Sequence, residues 1–314
     1  MEYTTLGRTG LRVSRVGLGC GGHSKLGLAF GKTDEEAAVV VREAISLGVN
    51  LIDTAASYGT EGAIALGIAH VPRHEVILST KVAATGKSGY HSPAEYRAEI
   101  EGCLRRLGTD YVDVFNVHGV VADEYSYVRN ELVPVIETMK SEGKIRFIGI
   151  TEHFILDTRH VALAHALARD DCWDVMMVGF SFLNQTARER VFPFTLAKGI
   201  GTLGMFAVRR ALSNPEALRQ LMSGLVAEGS VKPEGFDHDD PLGFLVGAGV
   251  AGDITEAAYR FCRDEPGMDV VLSGTSRVDH LRANVAAFDK PALLEDVTAR
   301  VQHMFAGVDT VSGN

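Results

Sequence analysis

Short apolar, β-branched runs alternate along the chain with longer stretches in which apolar residues recur every three to four positions. These are the marks of buried strands and amphipathic helices. The runs predict strands at Val16–Gly19, Asn50–Asp53, Val76–Lys81, Val112–Val117, Ile145–Ile150, Val175–Phe180, Gly201–Phe206 and Val270–Ser273. The stretches between them predict helices at Asp34–Leu47, Thr60–Ile68, Pro93–Leu107, Leu132–Glu142, Leu156–Ala168, Ala187–Lys198 and Ile254–Arg263. An eighth helix, Val278–Ala287, follows the last strand, and a further amphipathic stretch covers Ala292–Phe305. Ahead of the first strand, Tyr3–Leu6 and Val13–Val16 flank a turn at Gly7-Arg8-Thr9-Gly10 and predict a hairpin.

The punctuation agrees with this reading. Gly48, Gly108, Gly143 and Gly199 each stand where a helix should close. Thr33 and Ser92 each precede a Glu by three residues, the pattern of a capping box, and Pro93 suits a first helical position. Strict alternation of strand and helix implies a parallel sheet, and eight such units favour closure into a barrel over an open doubly wound sheet. The fold class is therefore α/β, a (β/α)₈ TIM barrel with an N-terminal β-hairpin and a C-terminal extra helix, as one domain over residues 1–314. The longest irregular stretch, Arg209–Asp253, lies between the seventh strand and its helix, with a short helix expected at Pro215–Glu228. That position puts it over the barrel face that carries active sites.

Composition narrows the class. Hydrophobic residues make up 46% and charged residues 23% of the 314, ordinary for a globular protein. The net charge of −9 and the lack of a Lys/Arg-rich run argue against a nucleic-acid partner. Cys20, Cys103, Cys172 and Cys262 are widely spaced, which suits reduced thiols in a cytoplasmic protein. No basic-then-apolar leader opens the chain, and no apolar stretch is long enough for a membrane span.

The segment Gly17-Leu-Gly19-Cys-Gly-Gly22 matches G-x-G-x-x-G. A dinucleotide fingerprint needs a helix opening at its third glycine, and here His23–Lys32 intervenes first. The glycines read instead as a tight first loop that lets a ligand approach the backbone. Four polar residues then fall at or just past the C-terminal ends of successive strands: Asp53, Tyr58, Lys81 and His118. In a barrel they share one mouth. Singly, each has an ordinary structural reading, as a cap, a half-buried aromatic, a solvated amine or a structural histidine. Together they form a proton-transfer set. A phenol ionises near 10, and a nearby ammonium should lower that value. Lys81 would do this, Asp53 would hold Lys81, His118 would orient a carbonyl, and Tyr58 would act as general acid. No metal is required.

These residues also carry a resemblance. Leu51-Ile-Asp53-Thr-Ala-Ala-Ser-Tyr58-Gly59 resembles the aldo/keto reductase signature around its catalytic Asp and Tyr. Ser79-Thr-Lys81 is similar to that family's lysine strand, and Asp110 to His118 to its histidine strand. Glu142 to Thr151 resembles its fifth-strand block, and Ser273 to Asn284 its cofactor segment. Leu6 to Ser14 is similar to its opening hairpin. The resemblance implies NADPH, or sometimes NADH, bound in extended form, and reversible conversion of a carbonyl or sugar and its alcohol. It implies that Thr151 and Glu152 lie by the nicotinamide, with Gly274, Ser276, Arg277, His280 and Asn284 around the adenosine end. The chain departs from the pattern at several places. Thr151-Glu152 replaces Ser-Asn, Met177 replaces Gln, and Met205 or Phe206 replaces the nicotinamide-stacking Tyr. His280 and Ala283 stand where Gln or Arg and Glu are common. Arg209-Arg210 offers positive charge to a pyrophosphate or an acidic substrate.

Two other functions fit parts of this pattern. The altered carboxamide pocket suits a barrel that senses nicotinamide with little turnover. Asp53, His118 and His153 are types that ligate metal in barrel hydrolases, although the first strand carries no H-x-H pair. The oligomeric state is not encoded in any feature of this kind.

Overall fold

The computed structural model describes residues 1–247 and 249–314. Eight parallel strands close into a barrel: Val16–Gly19, Leu51–Asp53, Ile77–Ala83, Val112–Val120, Ile145–Glu152, Val175–Gly179, Gly201–Met205 and Val270–Ser273. They neighbour one another in chain order, and the eighth pairs with the first through Val271–Val16 and Ser273–Leu18. The expected topology is thus the observed one. Tyr3–Thr5 and Arg12–Ser14 form the antiparallel hairpin around a 3₁₀ turn at Gly7–Thr9.

Because side chains alternate across each strand, every second residue points into the barrel. The deepest inner layer is apolar, with Leu51, Ile77, Val114, Val175, Leu203 and Val270 in one cluster. Leu6, Leu11 and Val13 of the hairpin join that cluster. The Arg8 backbone N–H donates to Gly199 O beside the start of the seventh strand, so the hairpin plugs the N-terminal end. Asp269 stitches the plug in place, accepting from Gly7 N at 3.2 Å and Thr202 N at 3.0 Å. The floor is closed, and chemistry is left to the other end.

Helix boundaries show where local chemistry overrode periodicity. The first helix starts at Asp34 behind a complete Thr33–Glu36 capping box, and Pro93–Leu107 starts behind the Ser92–Glu95 box. No helix opens at Gly22, so the glycine-rich segment is indeed a loop. The fifth of the expected helices begins at Val161, not Leu156. Asp157 accepts from the Val161 and Ala162 backbone N–H groups, and His160 sits at φ 57°, so the first turn cannot extend backward. The stretch expected as one helix at Ala187–Lys198 is two, Ala187–Arg190 and Phe192–Lys198, broken at Val191 just before Pro193. The Leu132–Glu142 helix is Val133–Ser141, entered through a π-turn at Val128–Leu132. Arg209–Asp253 is less irregular than its composition suggested, since it holds helices at Arg210–Ser213 and Pro215–Ala227. The extra C-terminal helix spans Glu295–Met304.

Candidate active site

The site grows from the second, third and fourth strands. Asp53 is the last residue of Leu51–Asp53 and is buried. The register pairs Asp53 with Ser79 and Lys81 with Asn116, so these four residues lie on the same inner wall. Lys81 Nζ donates to Asp53 Oδ2 at 2.6 Å and to Thr54 O at 2.8 Å. Ser79 Oγ donates to the other carboxylate oxygen at 2.9 Å. Asn116 Nδ2 in turn donates to Ser79 Oγ at 3.1 Å. The carboxylate is thereby fixed on both oxygens.

Tyr58 ends a 3₁₀ turn, Ala56–Tyr58, that is closed by Gly59 at φ 72°. Its ring stands over the ammonium, with Lys81 Nζ 5.0 Å from the centroid. A Cβ on Gly21 would overlap that ring, so the first-loop glycine makes room for the phenol. Tyr58 Oη and His118 Nε2 lie 3.5 Å apart, with the two rings edge to face. Sequence spacing therefore brings all four expected residues into one cluster. Lys81 and His118 are not strand ends, because each strand runs two residues further. They reach the mouth because they share inner-face parity with Ser79 and Asn116.

Electrostatics modify the expectation. Burial works against the Lys81 ammonium, but Asp53 and Tyr58 outweigh it and hold its pKa above the usual lysine value. Burial pushes the Asp53 carboxyl up, and Lys81 draws it back. The phenol of Tyr58 is raised, not lowered, because desolvation outweighs the pull of Lys81. Without a ligand Tyr58 is accordingly a held proton, the state a general acid needs. Burial, together with the charges of Lys81 and His153, pushes His118 down to about 3, so its imidazole is neutral.

The residues expected beside the nicotinamide divide by parity. Thr151 pairs with Met177, a member of the inner cluster, and so faces inward. Its Oγ1 accepts from Gly119 N at 2.7 Å, which ties down the backbone just after His118. Glu152 is one residue on and faces the other way. Its carboxylate meets His160 Nδ1 at 2.8 and 2.9 Å and accepts from Gly179 N at 2.7 Å, with both side chains fully buried. The expected contact to a carboxamide is replaced by a structural pair beneath Phe154, which stacks on His160. Met177 is packed in the barrel interior. Phe206, at φ 70°, lies past the seventh strand against Phe154 and Arg209.

At the far side of the mouth, Lys32, Glu36, Val39, Val40 and Ser276–Asp279 line an open groove of about 360 Å³. It lies at the N-terminus of the ten-residue helix Val278–Ala287. Lys32 Nζ donates to Ser276 O at 2.8 Å. Arg277 is engaged by Asp279, at 3.0 and 2.5 Å. Asn284 Nδ2 donates to Ser273 Oγ at 3.0 Å, and His280 is exposed. A Cβ on Gly274 would meet Gly19 O at 2.6 Å, so glycine there lets the eighth-strand loop close on the first. A helix N-terminus with basic side chains suits the phosphate-bearing end of a dinucleotide.

Sequence reasoning gave no role to Ser79, Asn116 or Thr54, and it read Gly21 as room for a ligand where the structure puts the Tyr58 ring. The first two were legible as the i−2 neighbours of Lys81 and His118, since strand alternation puts them on the same wall. Among the described residues no cluster of three or more His, Cys, Asp or Glu side chains is placed to hold a metal, and no helix is long and apolar enough to cross a membrane.

A parallel eight-stranded barrel with a tyrosine, a lysine–aspartate pair and a histidine at its C-terminal mouth defines a class of barrel oxidoreductases. A model of the Aldo/keto reductase family matches residues 17–305. The chain belongs to that family and is an oxidoreductase. It is similar to L-galactose dehydrogenase of Arabidopsis thaliana, 32% identical over 303 residues that cover 91% of this chain and 88% of the relative. It is also similar to an NADH-specific methylglyoxal reductase of Escherichia coli, 25% identical over 92% and 94% of the two chains. Among solved structures, the holo form of an aldo-keto reductase from Bacillus halodurans superimposes with a TM-score of 0.73, covering 99% and 97% at 24% identity.

Proposed function

We propose that this protein interconverts a carbonyl compound, an aldehyde, ketone or sugar, and its alcohol with NAD(P)H, using Tyr58 as general acid and base. The supporting observation is the Asp53–Lys81–Tyr58–His118 cluster at the barrel mouth, in which a partly buried phenol stands above a carboxylate-held ammonium. The bound nicotinamide supplies or accepts the hydride. In reduction, neutral His118 donates a hydrogen bond that orients the carbonyl oxygen. Tyr58 Oη gives that oxygen its proton as negative charge develops there, and the Lys81 ammonium steadies the phenolate left behind. Asp53, fixed by Ser79, keeps Lys81 protonated and aimed.

Residues Ser276, Arg277 and Asn284, with the helix N-terminus at Val278, would hold the adenosine end. An exposed ion pair is worth only about 0–1 kcal/mol. The Arg277–Asp279 pair, with both side chains more than half exposed, would therefore yield Arg277 to a 2′-phosphate. Asp279 can accept from a 2′-hydroxyl instead, so NADPH is favoured and NADH is accepted. Four free cysteines, three of them buried, fit a cytoplasmic setting.

The test is to titrate NADPH and NADH by fluorescence and follow the reduced-nicotinamide absorbance with aldehydes, ketones and sugars. Tyr58→Phe should bind nucleotide as the parent does and lose turnover by roughly 10²–10⁴-fold. A Tyr58→Phe protein with full turnover would refute the mechanism. The runner-up, a nicotinamide sensor, draws on the replaced carboxamide contact at Glu152. It would be favoured by tight nucleotide binding without oxidation by any carbonyl.

A further inference from the structure

One charged group at the mouth has no part in the proton machinery. Arg209 follows the seventh strand and is half-buried. Its guanidinium carbon lies 4.4 Å from the Phe206 ring centroid, and its Nε donates to Asn314 Oδ1 at 2.6 Å. Among the described residues these two contacts leave both terminal nitrogens without a protein acceptor, and no carboxylate lies within 4.0 Å of the guanidinium. One of the free nitrogens lies against the first loop. Arg209 Nη1 stands 3.8 Å from where a Cβ of Gly22 would be, while the adjacent Gly21 packs against the Tyr58 ring. The guanidinium fork and the phenol thus flank the same Gly21-Gly22 backbone. Elsewhere in the mouth, Lys81 is matched by Asp53 and His118 is neutral. Arg209 is consequently a partly desolvated cation with no carboxylate within 4.0 Å among the described residues, in the same mouth as the Tyr58 phenol. Its neighbour Arg210 is exposed and does not share this setting.

We propose that Arg209 receives the carboxylate of the substrate, so that the preferred carbonyl compounds are oxo acids or sugar acids whose reacting carbonyl lies at Tyr58. This assignment rests on the proposed carbonyl–alcohol chemistry of the same site. A planar fork of N–H donors matches a carboxylate in two parallel hydrogen bonds, and partial burial strengthens such a pair. Phe206 and Asn314 hold the fork in place before the ligand arrives, which lowers the entropy lost on binding.

The experiment separates this reading from its foundation. Calorimetric titration of 4-(hydroxymethyl)benzoate and of benzyl alcohol, with and without saturating NADPH or NADH, needs no turnover. The acid should bind at least about tenfold more tightly than the alcohol, the size expected for one charge-assisted contact. That preference should vanish in Arg209→Gln and survive in part in Arg209→Lys, which keeps the charge but not the fork. In kinetics, the kcat/KM ratio of 4-carboxybenzaldehyde to benzaldehyde should collapse in Arg209→Gln, mainly through KM. Equal binding of acid and alcohol by the parent protein overturns the proposal, as does a preference that survives Arg209→Gln. A loss in Arg209→Gln confined to nucleotide affinity also overturns it and assigns the guanidinium to the cofactor's phosphates. If the acid preference behaves as expected but no carbonyl is turned over, the proposed function fails while the carboxylate site stands.

Discussion

Replacing Asp53 with Asn keeps the shape of the side chain and removes one charge from a fully enclosed pair. Lys81 Nζ would then face at best a neutral amide oxygen in place of the carboxylate, beside Thr54 O at 2.8 Å and the face of the Tyr58 ring. Breaking one half of a buried ion pair costs about 3–5 kcal/mol, because the other charge remains buried without its partner. At roughly 2.1 cal/mol/K of unfolding entropy per residue, a chain of 314 residues changes by about 0.66 kcal/mol per degree, so Tm should fall by about 5–8 °C. Adding Lys81→Met removes the stranded ammonium. The double variant should regain most of the loss, since buried pairs are often replaceable by apolar groups at little cost. The non-additivity should therefore exceed about 2 kcal/mol. A pH series adds a sign. In the parent protein the folded pKa of Lys81 is raised, so its contribution is full below the unfolded lysine value and fades as pH rises through the folded one. In Asp53→Asn, burial without the carboxylate depresses that pKa, so the unfolded chain binds more protons and stability climbs with pH. The deficit between the two proteins should shrink toward alkaline pH. Thermal unfolding by circular dichroism, backed by urea titration, measures all of this. A Tm within about 2 °C of the parent for Asp53→Asn, or strict additivity in the double variant, would refute the buried-pair argument.

Two further variants test the electrostatic reading. His118, held down to about 3, should show no ring titration in NMR between roughly pH 5 and 8 and no inflection in kcat/KM. An inflection in that range that disappears in His118→Gln would show the imidazole to be a titrating group. Glu152→Ala should lower stability by about 1–3 kcal/mol for each of the two buried donors it leaves unsatisfied, His160 Nδ1 and Gly179 N, while nucleotide affinity changes by less than about threefold. A stable Glu152→Ala protein with a large loss of nucleotide affinity would return Glu152 to the cofactor site.

How far the sequence carried depended on which physical rule governed each residue. Strand alternation and glycine-closed helices were enough for the barrel, because both are local. The Asp53, Tyr58, Lys81 and His118 cluster followed from the barrel rule that strand ends share a mouth. The misplacement of Glu152 had a different source. The fifth strand was expected to stop at Ile150, and Thr151 and Glu152 were placed beside the nicotinamide on the resemblance alone. It runs to Glu152, and alternation persists through it. Thr151 and Glu152 must then point in opposite directions, and a pair replacing Ser-Asn cannot send both side chains inward. The sign of the Tyr58 shift was beyond any motif. It depends on how much water is kept from the ring, and Gly21 of the first loop lies against it. Desolvation and the ammonium oppose each other at this phenol, and burial wins without a ligand. The same enclosure that raises Tyr58 makes Lys81 more effective once charge moves, because the field of an ammonium is screened less in a dry site. In the proposed mechanism, a phenol that resists ionisation at rest, beside a cation that favours the phenolate, would store its proton until an oxyanion forms within reach. On that proposal the proton donor would be set by burial as much as by charge.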